Sequence, residues 1–488
     1  MNTKALRQKV LDLAIHGKLV PQNPNDESAT VLLEKIRAEK AEKIKKGELK
    51  ADKKDSFIFV GSDKRHYEQF ADGTVKDIED EIPFEVPDGW AVTRMGTYIT
   101  FTGGAQPPKE TFEYSPNENN IRLIQIRDYK TDDFATYIPK NLARRFCSIT
   151  DVMIGRYGPP LFQILRGIEG AYNVAIMKAE AVPEIMQNDY LYYMLQDGTL
   201  LHFLESLSDR TCGQDGVNMF ELTNYLILIP PYEEQTRIIK KLEETIPIIE
   251  SLAKNIDDLK VAVKHAKSKI LDLAIHGKLV PQNPNDEPAE ELLKRIATSD
   301  NRPYKKIDED EALFDIPESW SWCTLGEIYT HTTGKALKKT NNKGTLRKYI
   351  TTSNLYWNSF DFTEVREMYF TDDELEKCTI KKGDLILCNG GDVGRAAIWN
   401  YDYDICYQNH VSRLRPKNKN INNSFFLYVI MIYKQQGILN GKGVGIISLS
   451  ASDLLSAVVP LPPYSEQNRI VEKIECLYGN LTIINNQL

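Results

Sequence analysis

The sequence predicts an α+β protein: two globular α/β domains separated by long antiparallel helical, coiled-coil spacers, with a pseudo-two-fold internal repeat. Three observations predict it. Leu11 to Glu27 reads LDLAIHGKLVPQNPNDE, and Leu271 to Glu287 repeats it letter for letter at an offset of 260. Pro230-Pro-Tyr-Glu-Glu-Gln-Thr-Arg237 and Pro462-Pro-Tyr-Ser-Glu-Gln-Asn-Arg469 form a second pair, offset by 232, and each opens a helical pattern. Pro87-Asp-Gly-Trp90 and Pro317-Glu-Ser-Trp320 form a third, offset by 230. Chance does not produce seventeen matched residues. A period this long is the duplication of a domain-sized unit, not a solenoid repeat.

The elements follow in order. Residues 1–48 read as a helical segment and 49–80 as a charged linker. The run AEKAEKIKKGELKADKKD at 38–55 is a solvated helix or linker by composition, with a phosphate-touching arm as the sharper reading. This connector explains the fall in offset, because Glu27 to Pro87 spans 60 residues and Glu287 to Pro317 only 30. A globular domain occupies 81–229, a central helical spacer 230–300 and a short linker 301–312. A second globular domain occupies 313–461, and a last helix 462–488.

After Pro230-Pro231, Glu233 and Glu234 sit where a helix N-terminus favours acids. Ile238, Leu242, Ile246, Ile249, Leu252, Ile256, Leu259 and Val263 then recur in steps of three and four, which marks a helix-pairing seam. Pro247 interrupts it as a candidate kink. Ile470, Ile474, Leu477, Leu481, Ile484 and Leu488 give the second copy. A helix packed on a globular core is the competing reading. By the offsets, the two chain ends together rebuild one helical unit, lacking only residues 257–260. They are expected to meet and form a second spacer beside the central one. Some 40 helical residues at about 1.5 Å each would make a rod of about 60 Å.

The two globular segments differ greatly in sequence but share a skeleton. Asp151-Val-Met-Ile154 matches Asp384-Leu-Ile-Leu387, a strand entered from a turn. Gly213 matches Gly445, and Leu222 matches Leu454.

Composition narrows the class. Hydrophobic residues make up 42% of the 488 residues, enough for real cores. No apolar run reaches membrane-spanning length, and MNTKALRQKV is no signal peptide. The seven cysteines form no CxxC pair, so reduced thiols in a cytoplasmic protein are expected, with no metal. The net charge of −8 argues against DNA binding through bulk basicity and leaves local patches or partner-supplied contacts.

Catalytic motifs are missing. The Pro-Pro-Tyr triplets resemble the tail of an amino-methyltransferase motif, but Ile229 and Leu461 stand where Asn, Asp or Ser must hold the target amine. Phe101-Thr-Gly-Gly104 is a poor methyl-donor loop, and no GxGxxG, GxxxxGK[ST] or GxSxG occurs.

Constant segments carrying LAIHGKLVP and P-x-x-W alternate with variable halves that end in PPYxEQxRI before a long helix. This pattern closely resembles the specificity subunit of type I restriction-modification systems, over nearly the whole chain. The resemblance implies a non-catalytic DNA-specificity subunit. Its variable halves would be target recognition domains, each reading half of a split, asymmetric sequence in double-stranded DNA. Its helices would fix the gap and dock two methylation subunits, and restriction subunits would join in turn. It also implies that S-adenosylmethionine, ATP and Mg belong to those partners, with no cofactor on this chain. Close identity between the repeats would let recombination exchange the reading domains.

Base and phosphate contacts are chosen by chemistry. In the first domain Gln106 and Lys109 lie in a polar loop. Gln125 and Arg127 would share one face of an alternating strand at 121–127. Arg156 and Tyr157 would offer a cation and a stacking ring after a strand. In the second domain Lys335, Lys338, Lys339, Arg347 and Lys348, with Lys343 close by, make the densest basic cluster and suit phosphate. Ser353, Asn354 and Asn389 are candidate base readers, and Lys442 sits in a glycine-rich loop. Residues 81–228 carry 12 basic and 19 acidic side chains (−7), and 313–460 carry 17 and 15 (+2). The first domain is therefore expected to lean more on base contacts and on positive charge from a partner. A coiled-coil scaffold with protein-binding globular halves is the alternative from another class.

Overall fold

A computed structural model describes residues 2–50, 55–158, 160–208, 216–337, 343–441 and 448–488. It divides into two units, Met1–Asn255 and Ile256–Leu488.

The first unit opens with a helix at Thr3–Ile15, capped by the Asn2 side chain accepting from Ala5 N–H. A second helix, Ala29–Lys45, is capped by Ser28. The expected linker at 49–80 is corrected here: Ser56–Val60, His66–Phe70 and Val75–Asp77 form a three-stranded antiparallel meander. Arg37 of the second helix lies 3.8 Å over the Phe57 ring and ties the helix to it. Nothing equivalent follows the shorter helix Ala289–Ser299 of the second unit, where residues 300–308 form no helix or strand.

Each unit then builds a domain from two four-stranded sheets and a two-stranded ribbon, to which the second adds a short hairpin, Leu355–Tyr356 with Ser359–Phe360. In the first, the order is Gln163–Leu165, Val152–Gly155, Ile176–Ala181, Ile99–Gly103, beside Tyr137–Pro139, Asn120–Ile124, Gly170–Tyr172, Phe146–Cys147. In the second it is Ala396–Ile398, Leu385–Cys388, Val411–Pro416, Tyr329–Thr333, beside Arg366–Phe370, Thr345–Ile350, Ile405–Tyr407, Thr379–Ile380. The topologies are the same. Even the parallel strand pairing recurs, Ala171 with Leu123 and Tyr349 with Cys406. The matched runs Val152–Gly155 and Leu385–Cys388 are buried on both faces, which is why they read as unbroken apolar stretches. Leu385 and Leu387 face one core, Ile386 and Cys388 the other. The strand expected at 121–127 ends at Ile124, and Ile126–Tyr129 is a 3-10 turn.

The three repeated motifs meet in one junction per unit. Trp90 Nε1 donates to Glu234 Oε2 at 3.1 Å, and Trp320 Nε1 to Glu466 Oε2 at 3.0 Å. Arg237 pairs with Asp26, and Arg469 with Asp286, both at 2.6 Å. Gln235 and Gln467 are fully buried and return to the Pro230 and Pro462 carbonyls. Gly17 and Gly277 both have φ +65, and an added Cβ would lie 2.7 Å from Pro87 Cγ or 2.3 Å from Pro317 Cγ. Seventeen identical residues are thus held by a turn that needs glycine.

The central helix runs Tyr232–Ile275 and continues through Pro247. In the first unit its opening turns pack with Leu11, Ala14 and Ile15 of the N-terminal helix, and Arg7 reaches Glu250 at 4.0 Å. In the second unit its last turns pack against Ile470, Val471 and Ile474 of the final helix, Tyr464–Gln487, where Tyr478 Oη donates to Lys267 O at 3.0 Å. Both pairs run antiparallel. Leu242, Ile470 and Ile474 are buried in clusters that join the paired helices to the cores of their own domains, so they serve both readings. Ile249 is also buried. Ile256, Leu477 and Leu481 are half-buried. Leu259 is 42% exposed and is removed from the buried seam.

Candidate nucleic-acid interface

In each domain the strands deliver a set of loops to one end of the sheets, the end away from the junction. Matched backbone bonds fix the correspondence. Ala105 N–H donates to Tyr172 O and Lys335 N–H to Tyr407 O; Asn173 N–H donates to Ile124 O and Gln408 N–H to Ile350 O. Arg156 N–H donates to Ala175 O, and Asn389 N–H to His410 O. Gln125 N–H donates to Asp128 Oδ2 and Thr351 N–H to Asn354 Oδ1, both at 2.9 Å. Arg127 therefore occupies the place of Ser353, and Arg156 the place of Asn389. The frame is shared and the side chains on it are not.

In the first domain this end gathers Gln106, Lys109, Arg127, Arg156 and Tyr157. Gln106 and Lys109 are exposed in the loop after Ile99–Gly103. Arg127 is exposed on the turn, its guanidinium 5.7 Å from the Phe134 ring. Arg156 lies 5.4 Å over Tyr157. Gln125 is corrected: its side chain caps the turn and donates to Thr136 Oγ1 at 3.1 Å, so it holds the loop rather than facing outward.

In the second domain the basic cluster loses one described member. Lys335 is buried, donating to Tyr369 O at 2.7 Å and pairing with Glu374 at 2.5 Å. Its ammonium holds the Glu374 carboxyl below the usual range. A cation so committed has nothing left for phosphate. Arg347 and Lys348 are exposed but sit back along Thr345–Ile350, lining a cavity of about 530 Å³ with Glu367, Tyr403 and Asp404. Lys338, Lys339 and Lys442 lie outside the described residues, as do Gly213 and Gly445. Asn354 is also corrected: its amide accepts from Thr351 and donates to the Asp361 and Glu364 carbonyls, which leaves no atom for a base. Ser353 is exposed, 2.7 Å from Thr351 Oγ1. Asn389 donates to Ser412 Oγ, which also meets His331 Nε2 at 2.9 Å. Burial, and then Arg413, keeps that histidine's pKa below its ordinary value.

Three residues at this end escaped the sequence reading. Arg144 and Arg145 are exposed where Phe146–Cys147 begins, and Tyr172 N–H donates to Arg145 O. Arg395 lies 5.1 Å over Tyr356, with Nη2 donating to Thr352 O at 2.5 Å. The adjacent Arg-Arg was a legible signal. Arg395 with Tyr356 was not, because 39 residues separate them.

Among the described residues no cluster of His, Cys, Asp or Glu could hold a metal ion, and no helix is long and apolar enough to cross a membrane. Burial raises the Cys147 and Cys406 thiols to about 11.

Residues 317–488 match the model of the type I restriction modification DNA specificity domain. The type I restriction enzyme EcoAI specificity subunit of Escherichia coli is 27% identical over 97% of this chain and 88% of its own length. The MjaVIII specificity subunit of Methanocaldococcus jannaschii is 23% identical over 80% and 87%. Over nearly its whole length the chain is similar to the type I specificity subunits. The fold agrees. The HsdS subunit of Thermoanaerobacter tengcongensis aligns over 83% of this chain and 93% of its own with a TM-score of 0.50 at 16% identity. A chain from a study of complex assembly and conformational transition in the type I R-M system aligns over 83% and 94%, with a TM-score of 0.57 at 18% identity. The matched residues cover the second domain, and the matched frame bonds extend its architecture to the first.

Proposed function

We propose that this subunit confers DNA sequence specificity on a type I restriction-modification complex. Each domain reads one half of a bipartite, asymmetric target in double-stranded DNA, through the loops at its strand ends. The helices set the gap between half-sites and dock two methylation subunits, and restriction subunits join where the system has them. The chain itself carries out no chemistry. S-adenosylmethionine, ATP and Mg act on the partner subunits, in the cytoplasm.

The observation that carries this reading is the shared frame with unlike side chains. Two domains hold the same strand ends with the same backbone bonds, yet present Arg127 against Ser353 and Arg156 against Asn389. Identical reading heads would suit a palindrome; unlike heads on one frame suit two different half-sites. The repeated junctions favour two copies of one partner. Sequencing modified bases in cells with and without the intact gene tests it. A split motif that vanishes with the gene is expected. No change in modification, with the methylation subunits present, would sink it and favour the scaffold reading.

A further inference from the structure

In both domains a β-hairpin rises from the same inner strand to the loop end. It joins Val152–Gly155 to Gln163–Leu165 in the first domain, and Leu385–Cys388 to Ala396–Ile398 in the second. Each hairpin carries one arginine laid on a tyrosine ring, Arg156 over Tyr157 at 5.4 Å and Arg395 over Tyr356 at 5.1 Å. The two arginines stand on opposite arms. Gln163 pairs with Gly155, and Arg395 O accepts from Cys388 N–H, so Arg395 occupies the place of Gln163 while Arg156 occupies that of Asn389. Two unrelated sequences thus reach the same arginine–tyrosine pair by different routes.

Both guanidinium groups are held with hydrogen-bonding capacity unused. Arg156 Nε and Arg395 Nε are buried without a partner, as are Arg122 Nε and Arg413 Nε, so the donors left to meet a base are the Nη groups. Arg94, Arg122 and Arg166 in the same domain as Arg156 all pair with carboxylates, whereas Arg156 makes no ion pair among the described residues. Among the described residues the one carboxylate beside Arg395 is Asp392, 3.7 Å away and half-exposed, and its other partners are the Thr352 carbonyl and the Cys388 thiol. The site is also built to admit the group. A Cβ on Gly103 would come 3.3 Å from Arg156 Nη1. Phe162, 4% exposed, anchors the hairpin's return at φ 57, a conformation a bulky side chain adopts only under constraint. Tyr157 and Tyr356 remain 37% and 45% exposed, so the pairs face solvent.

We infer that Arg156 and Arg395 are the guanine-reading residues of the two domains, one for each half-site. An arginine stacked on a ring keeps its planar fork oriented, and that fork matches guanine O6 and N7. The inference rests on the proposed specificity function and adds a base and a residue to each half.

The test uses the full chain assembled with methylation subunits, and binding to duplexes that vary one base pair at a time. Arg156→Lys and Arg156→Gln should lose preference at a single G·C pair of the first half-site by tenfold or more. The second half-site should be unaffected, and Arg395→Lys and Arg395→Gln should do the converse. Replacing that guanine by 7-deazaguanine should weaken the wild type and leave the lysine variants indifferent; this arm holds even if a glutamine variant fails to fold. Uniform weakening on every sequence, with a shallower salt dependence, would mean phosphate contact and overturn the inference. An unchanged motif would overturn it too. A wild-type complex with no split preference would instead overturn the parent reading.

Discussion

The two junctions are built from the same letters and do not make the same bonds. Gln22 and Gln282 stand at the same place in identical seventeen-residue segments. In the second junction Ser319 Oγ donates to Gln282 Oε1, and Gln282 in turn donates to Glu466 Oε1. In the first, position 89 is a glycine with φ +78, and Glu234 Oε1 is buried with no partner. Burial raises the pKa of both glutamates above the ordinary carboxylate value. One hydroxyl therefore decides whether the second carboxylate oxygen is satisfied. An identical segment inherits its conformation from sequence and its hydrogen bonds from what faces it.

That comparison can be broken at several points. The largest effect is expected at the glycine turn. Gly277→Ala puts a methyl 2.3 Å from Pro317 Cγ at positive φ, and should cost about 3 kcal/mol from overpacking and backbone strain. Gly17→Ala, with 2.7 Å to Pro87 Cγ, should cost less, about 2 kcal/mol. Calorimetry of the full chain separates them, and equal losses would mean that the two turns are equally compliant.

Next comes the strand that enters each domain. Arg415 holds Asp384 through two bonds of 2.6 and 2.7 Å, whereas Lys178 reaches Asp151 only at 3.5 Å. Arg415→Ala leaves a buried carboxylate with only the Lys381 N–H, at a cost of about 2 kcal/mol; Lys178→Ala should cost under about 1 kcal/mol. Denaturant midpoints measure both.

The buried Lys335 distinguishes structure from phosphate binding. Lys335→Met should lower stability by about 1.5 kcal/mol and leave the slope of log affinity against log salt unchanged. The pH sign follows from Glu374. Its depressed pKa contributes stability above the unfolded value near 4.5 that is lost as pH falls through the folded pKa. The variant should lose the Lys335 share of that acid-side dependence, while Thr371 keeps the rest, and a reduced salt slope would restore the phosphate assignment.

The smallest effect sharpens the opening contrast. At Glu466 both Trp320 and Gln282 donate, so Glu466→Gln must face one donor with another and should cost about 1 kcal/mol. Glu234→Gln meets only the Trp90 N–H and should be within about 0.5 kcal/mol of wild type near pH 4. Because the raised pKa makes ionisation of Glu234 unfavourable in the fold, wild-type stability should fall as pH climbs from 4.5 through the folded pKa. Thermal melting across pH checks that Glu234→Gln shows a smaller fall, the part due to Glu466 remaining.

Much of this was legible in the chain. The helices after each Pro-Pro-Tyr announced themselves by acids in the first turn and apolar residues at helical spacing. Asp151-Val-Met-Ile154 and Asp384-Leu-Ile-Leu387 read as strands because they are buried on both faces. The meander at 56–77 was missed although its signals were present. Ser56-Phe-Ile-Phe-Val60 is rich in aromatic and β-branched residues, and Asp72-Gly73 is a hairpin turn. The lysine run before it hid them. Lys335 and Asn354 misled for a different reason: exposure cannot be read from residue type. Both chemistries suit nucleic acid, and both are spent on neighbours 34 or fewer and 10 or fewer residues away, apart from Glu374 at 39.

The sequence by itself determined the duplication, the helices, the junction motifs and the family resemblance, because those rest on local propensity and on repetition along the chain. Only the tertiary structure decided that Arg127 stands where Ser353 does and that Arg395 rests on Tyr356. Those relations depend on which strands pair and in what register, and no local signal encodes a contact between residues that the chain keeps dozens of positions apart.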